Sequence, residues 1–306
     1  MQRRFKDYLI ISLKGLAMGA ADAVPGVSGG TIAFISGIYE ELINSISNIN
    51  ASLIKTLFSK GIKPFWQQLN GNFLLSLLAG IMVSFMSVMR LAKYLLENHP
   101  VLIWSFFFGL IVASIFFVGK QIQKWNIPVI ISLIAGAFIA FYITTLPAST
   151  NNDNPWFLFI AGAIAICAMI LPGISGAFIL IILGAYKALS DAFHDFDIKK
   201  IFIFAGGALV GLLSFSHLLK WLFKHYHNIT LAVLTGFIFG SLNKVWPWKK
   251  TLTWHTNSEG IKSAVLQESI SPFSFDGNNQ LVFSIILMIL GFLTIFILEK
   301  VGNKKQ

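Results

Sequence analysis

The stretch Asp22–Leu42, DAVPGVSGGTIAFISGIYEEL, sets a proline, four glycines and Ser28 between apolar runs. Helix breakers of this density end a helix, yet the flanking residues are lipid-soluble. The same arrangement returns at Ile170–Leu189, ILPGISGAFILIILGAYKAL. Pro25, Gly26, Ser28, Gly29, Gly37, Tyr39 and Leu42 recur as Pro172, Gly173, Ser175, Gly176, Gly184, Tyr186 and Leu189, at a constant spacing of 147. The break is therefore duplicated, and the chain reads as two halves, 1–150 and 151–306.

The rest of the composition says what the halves are made of. Of 306 residues, 56% are hydrophobic and only 12% charged, about half the charged share of an average soluble domain. Five apolar segments fall in each half, several close to the twenty or so residues a membrane span needs. They run about 8–22, 27–46, 72–96, 101–119 and 127–146, then about 156–171, 174–190, 201–223, 229–243 and 281–299. The third and fourth repeat at a spacing of 127: Gly80, Ser84, Ser87, Leu91, Lys93 and Gly109 align with Gly207, Gly211, Ser214, Leu218, Lys220 and Gly236. Gly136 aligns with Gly291 in the fifth pair. The expected fold is an all-α polytopic membrane protein of two inverted repeats. Each repeat is a re-entrant helical hairpin (about 8–46 and about 156–190) followed by three transmembrane helices (about 72–146 and about 201–299). An odd number of crossings per half forces the halves into opposite orientations, the plan of many secondary transporters. Two full spans would return the chain to the same side as a hairpin does, so counting leaves both open; the short segments favour the hairpin.

The net charge of +10 sits mostly in short loops and helix ends, where it sets topology and meets anionic headgroups, with no nucleic-acid-binding pattern. Arg3, Arg4, Lys6, Lys55, Lys60, Lys63, Lys120 and Lys124 place both termini in the cytoplasm. The loop PASTNNDNPW, free of lysine and arginine, then lies outside. The long KVWPWKK loop also lies outside, where long loops are poor witnesses. The N-terminal segment mimics a signal peptide, but Lys14 interrupts its apolar run and it belongs to the repeat, so it reads as retained. Cys167 is the only cysteine, which excludes an internal disulfide.

A Pro-Gly-x-Ser-Gly break inside a bilayer frees backbone N–H groups, and such groups at a helix start form an anion site. Gly26, Ser28, Gly29, Gly30 and Thr31 are the candidates for one cradle; Gly173, Ser175 and Gly176 are those for its counterpart. The plainer alternative is that these small residues only let two hairpins cross closely. A third is a rhomboid-type G-x-S-G nucleophile, which needs a histidine base. His217 is the only histidine well inside a span, and two equal serines do not suit one nucleophile.

Charges inside spans are costly and informative. Lys14 and Asp22 are eight residues apart on one helix face. They form either a fixed ion pair or a substrate-binding lysine and a proton-coupling carboxylate. Arg90 and Lys93, with counterparts His217 and Lys220, either snorkel to the headgroups or capture phosphate. Gly15/Gly19, Gly207/Gly211 and Gly236/Gly240 are GxxxG pairs that pack helices within one subunit or in a homodimer. Trp104, Trp125, Trp156, Trp246 and Trp248 fall near span ends as an aromatic belt would.

The duplicated DAVPGVSGG and ILPGISG hairpins resemble the bacterial polyprenyl-phosphate transporter family, PopT. The resemblance covers essentially the whole chain, and Asp-x-x-Pro-Gly-x-Ser-Gly-Gly is its most specific part. It implies a non-enzymatic protein of the bacterial plasma membrane that returns undecaprenyl phosphate to the cytoplasmic leaflet, with no cofactor. A proton or another ion would supply the coupling. From the residues alone, a small-anion or solute symporter and an intramembrane hydrolase remain alternatives.

Overall fold

The computed structural model describes residues 3–22, 28–147, 149, 152, 154–256 and 262–303. The first half begins with α1 (Phe5–Asp22), α2 (Gly29–Ile35) and α3 (Tyr39–Ser47), then α4 (Ala51–Lys60) and α5 (Ile62–Leu69). Three long helices complete it: α6 (Gly71–Asn98), α7 (Pro100–Gly119) and α8 (Ile127–Thr145). The second half runs α9 (Pro155–Ile170), α10 (Gly176–Leu183), α11 (Tyr186–His194), α12 (Ile198–His225), α13 (His227–Gly240) and the short α14 (Leu242–Val245). An antiparallel strand pair, β1 (Lys249–Thr256) and β2 (Lys262–Ser269), precedes α15 (Leu281–Asn303).

Among the described residues five stretches are long and apolar enough to cross a bilayer: Gly71–Val88, Pro100–Gly119, Ile127–Thr145, Ile198–His225 and His227–Val245. Leu281–Phe296 of α15 adds another apolar stretch. Large apolar side chains stay exposed along α8 (Ile131, Ile134, Phe138) and α15 (Val282, Phe283, Ile289), as lipid-facing helices require. The protein is an all-α polytopic membrane protein, and the strand pair lies in the connection between α14 and α15.

Local sequence sets the helix starts. Pro100, Pro128 and Pro155 occupy first turns, where the missing N–H costs nothing. Asn126 and Asn154 cap α8 and α9 by accepting from Val129 N and Trp156 N.

The second arm of each hairpin, expected as one segment (27–46 and 174–190), is instead split in two. Gly37 and Gly184, partners in the 147-residue repeat, both take positive φ, 72° and 75°, which ends the helix. Beyond Gly184 the chain turns by 105° from α10 into α11. What remains of the second arms is short: α2 has 7 residues and α10 has 8, rises of about 10–12 Å. Both run back along their first arms. Lys14 of α1 reaches Ser36 O beyond α2, and a Cβ on Gly176 of α10 would lie 2.7 Å from Ala165 O of α9.

Four helix pairs dominate the packing: α1 with α6, α9 with α12, α7 with α15, and α8 with α13. Glycines bring the backbones together. A Cβ on Gly80 would overlap the carbonyl oxygen of Ser12, and one on Gly207 that of Phe159. Ser12 and Phe159 are 147 residues apart, so the contact recurs from one half to the other. Between the halves, Gly109 meets Met288 O as Gly236 meets Leu133 O, and Gly136 meets Val233 O as Gly291 meets Phe106 O. The GxxxG faces are thus spent on contacts within the chain; a homodimer needs another surface.

Two elements were not expected. The connection between the second and third apolar segments of the first half folds into α4 and α5, whose Ile54, Phe58 and Ile62 stay exposed beside Lys55, Lys60 and Lys63. The KVWPWKK loop opens into β1, against which Trp248 is 2% exposed and donates to Asn279 O, while Trp246 donates to Ile270 O. Trp125 and Trp156, 55% and 79% exposed, sit as belt residues do; Trp248 is a core residue.

Candidate functional site

The two breaks touch. Thr31 Oγ1, fully buried, accepts from Gly173 N at 2.9 Å. The Ser28 hydroxyl lies within donating distance of Met169 O (3.2 Å) and Leu171 O (3.3 Å). A Cβ on Gly30 would approach Ile170 O to 2.5 Å, so the crossing tolerates only glycine there. Gly173 has φ 85° and sits where a Cβ would lie 2.7 Å from Phe237 O. All seven residues of α2 are buried, against α1, α7 and α9.

Around the first break the backbone donors of Gly29, Gly30 and Thr31 are already used. Gly29 N donates to Asp22 Oδ1 at 2.6 Å, Gly30 N to Ser28 Oγ at 3.1 Å and Thr31 N to Ser28 O at 2.9 Å. The Asp22 carboxylate therefore holds the place where an anion was expected, and Ser28 and Thr31 join the two halves. Gly26 lies outside the described residues.

The second break is different. Ser175 occupies the N-cap of α10, but its side chain makes no capping bond, unlike that of its duplicate Ser28. It borders a cavity with Thr144, Gly173, Ile174, Phe178 and Lys244. The Lys244 ammonium lies 4.0 Å from the Phe178 ring centroid. Beside it Lys249 sits 3.6 Å from the centroid of Trp104 and donates to Lys244 O at 2.6 Å. Burial, aided by the neighbouring charge of Lys244, pushes the Lys249 pKa well below the usual lysine value. Both lysines escaped the sequence reading because their loop passed as solvated; the lysine-flanked Trp-Pro-Trp was the available signal.

The other candidates are scattered. Lys14 Nζ donates to Ser36 O at 2.5 Å, so the Lys14–Asp22 ion pair does not form. Arg90 is exposed on α6, and Lys93 is on the same helix with its side chain outside the described residues. His217, also exposed, bonds through Nδ1 to Leu213 O of its own helix. Lys220 Nζ donates to Asn48 Oδ1 at 3.2 Å, beyond the end of α3. None of Lys14, Arg90, His217 and Lys220 borders the cavity. No histidine bonds to either break serine among the described residues.

The duplicated serines should therefore respond differently to removal. Thr31→Val strands the buried Gly173 N–H and should cost about 1–3 kcal/mol of stability; Ser28→Ala should cost about 1 kcal/mol or more. Ser175→Ala should leave stability within about 0.5 kcal/mol. Thermal unfolding of the three purified variants measures this, and equal losses at Ser28 and Ser175 would contradict the asymmetry.

A family model described as undecaprenyl phosphate translocase-like matches residues 18–263. The polyprenyl-phosphate transporter of Vibrio cholerae is 45% identical over 308 residues, covering 99% of this chain and 100% of that protein. The polyprenyl-phosphate transporter of Staphylococcus aureus is 34% identical over 255 residues, 77% of this chain and 85% of that one. No solved structure matches. With the match spanning both breaks and most of the bundle, the chain belongs to the undecaprenyl phosphate translocase-like family.

Proposed function

We propose that this protein carries undecaprenyl phosphate across the bacterial plasma membrane, returning the spent lipid carrier to the cytoplasmic leaflet as a transporter and not an enzyme. The observation that carries the reading is the contact of two interrupted, buried hairpins, bonded through Thr31 and Gly173 inside lipid-facing helices. Interrupted helices meeting within a bundle suit a substrate headgroup at depth. The relatives named as polyprenyl-phosphate transporters support the lipid.

In this reading the halves are inverted repeats whose hairpins are re-entrant, with both termini cytoplasmic. The exchange-symmetric glycine contacts support that relation. The phosphate stays at the breaks while the prenyl tail remains in lipid. Moving the headgroup from one face to the other requires the Thr31–Gly173 and Ser28 bonds to open and re-form, a population shift between two packings. Asp22 couples this to a proton: protonation discharges the carboxylate that Gly29 N holds and loosens the start of α2.

Native mass spectrometry of the purified protein tests the substrate class. Undecaprenyl phosphate should remain bound where undecaprenol does not, and excess inorganic phosphate should compete only weakly. Retention of inorganic phosphate with no retention of the lipid would favour a small-anion transporter. For orientation, single cysteines at Lys60 and Ser149 in a Cys167→Ser background should label from opposite faces; labelling from one face rejects the inverted arrangement.

A further inference from the structure

Lys244 and Lys249 are the unexplained charges of the molecule. Both turn inward, over Phe178 and Trp104, instead of outward to water. Among the described residues no carboxylate pairs with either. A sheltered ammonium without a counter-ion is costly, and two side by side more so, because each repels the other. Lys249 spends one donor on Lys244 O, which ties the lysine-bearing α14 to the start of β1. Among the described residues the Lys244 ammonium has only the Phe178 ring as partner, and the hydroxyl of Ser175 on the same cavity is uncommitted. The remaining walls include Ala140, Ile143 and Ile174.

We infer that this cavity, about 10 Å³ and so room for one water until its walls part, binds a phosphate monoester, with Lys244 as its counter-charge and Ser175 as a hydroxyl donor, while Lys249 positions Lys244 through its bond to Lys244 O. The start of α10 adds favourable dipoles without carrying the argument. A lysine with no acid beside it matches an anion, and the apolar walls match a phosphate attached to hydrocarbon better than a free one. Lys244 and Thr144 close the ends of α13–α14 and α8, so in the orientation proposed above the site faces the non-cytoplasmic side. It would be where the headgroup is captured. The identity of the lipid rests on the transport reading; the phosphate chemistry does not.

Equilibrium binding to the purified full-length protein separates the two, with undecaprenyl phosphate and inorganic phosphate as probes. Lys244→Met should weaken binding of the lipid at least about tenfold, and Ser175→Ala by several-fold, with Lys244→Arg retaining most of it. Unfolding midpoints should match wild type; if Lys244→Met fails to fold, Ser175→Ala decides. Wild-type lipid affinity in folded Lys244→Met overturns the site while leaving the transport reading intact. Lys244-dependent binding of inorganic phosphate with no binding of the lipid keeps the site and overturns the lipid. If the wild-type protein binds neither probe, the site is rejected.

Discussion

Gly207→Ala should cripple the folded protein, whereas Gly206→Ala, one position earlier, should leave it intact. The residues share a helix, a size and an apolar environment, and differ only in what they face. A methyl on Gly207 would overlap the carbonyl oxygen of Phe159, part of the α9 backbone. No rotamer relieves that clash, so α9 and α12 must separate along their whole contact. Overpacking that side chains can absorb costs about 1–3 kcal/mol; a backbone clash belongs at or above the top of that range. A methyl on Gly206 would lie 3.7 Å from the Phe159 ring, ordinary contact, and gains about 0.5–1 kcal/mol in helix propensity. Thermal stability followed by size-exclusion chromatography should show a midpoint about 6–12 °C lower for Gly207→Ala, taking the sensitivity of a 150–250-residue domain. Equal midpoints would mean that α9 and α12 do not meet at backbone distance.

Asp22→Asn should fold, bind the phosphate lipid and lose the dependence of transport on a pH gradient. The amide keeps an oxygen to accept from Gly29 N, so the start of α2 stays capped while the titratable charge is gone. Asp22→Ala removes the cap as well and should lose about 0.5–2 kcal/mol of stability in addition. Because Lys14 is bonded to Ser36 O, no ion pair with Lys14 holds Asp22 ionised. Transport rates in proteoliposomes, with and without an inward-acid gradient, compare the variants. If Asp22→Asn keeps the gradient dependence of wild type, the coupling group lies elsewhere.

Much of the fold was legible because lipid imposes few choices. Uninterrupted apolar runs of span length read directly as helices, and duplicated breaks read as paired hairpins. Even the weak alignment of Gly136 with Gly291 matches equivalent contacts, against Val233 O and Phe106 O. The corners at Gly37 and Gly184 were hidden inside continuous apolar segments, where a left-handed glycine leaves no trace in hydrophobicity. The strand pair was hidden differently: Thr251, Leu252, Thr253 and Trp254 alternate as a strand should, but in a loop judged only by its charge.

The site was less legible than the fold. Ser28 and Ser175 are equivalent in sequence and opposite in use, since one hydroxyl joins the halves and the other is open. Only tertiary contact separates them: Met169 O and Leu171 O stand opposite Ser28. Asp22 was read as a neighbour of the cradle, and its carboxylate accepts from one of the cradle's own donors, Gly29 N. Arg90, His217 and Lys220 were grouped with the breaks because they are charges within spans, yet Arg90 and His217 stay on exposed faces and Lys220 is spent on Asn48. Lys244 stood too far along the chain from Ser175 for any local pattern to join them.

The central claim is that the protein moves a polyprenyl phosphate from one leaflet to the other. The most direct test is leaflet accessibility in proteoliposomes loaded with undecaprenyl phosphate and treated from outside with an impermeant phosphatase. With the wild-type protein the inner-leaflet pool should become dephosphorylated as it is carried outward, and Lys244→Met should slow that loss. An inner-leaflet pool that stays protected in vesicles holding folded, lipid-binding protein would contradict the account.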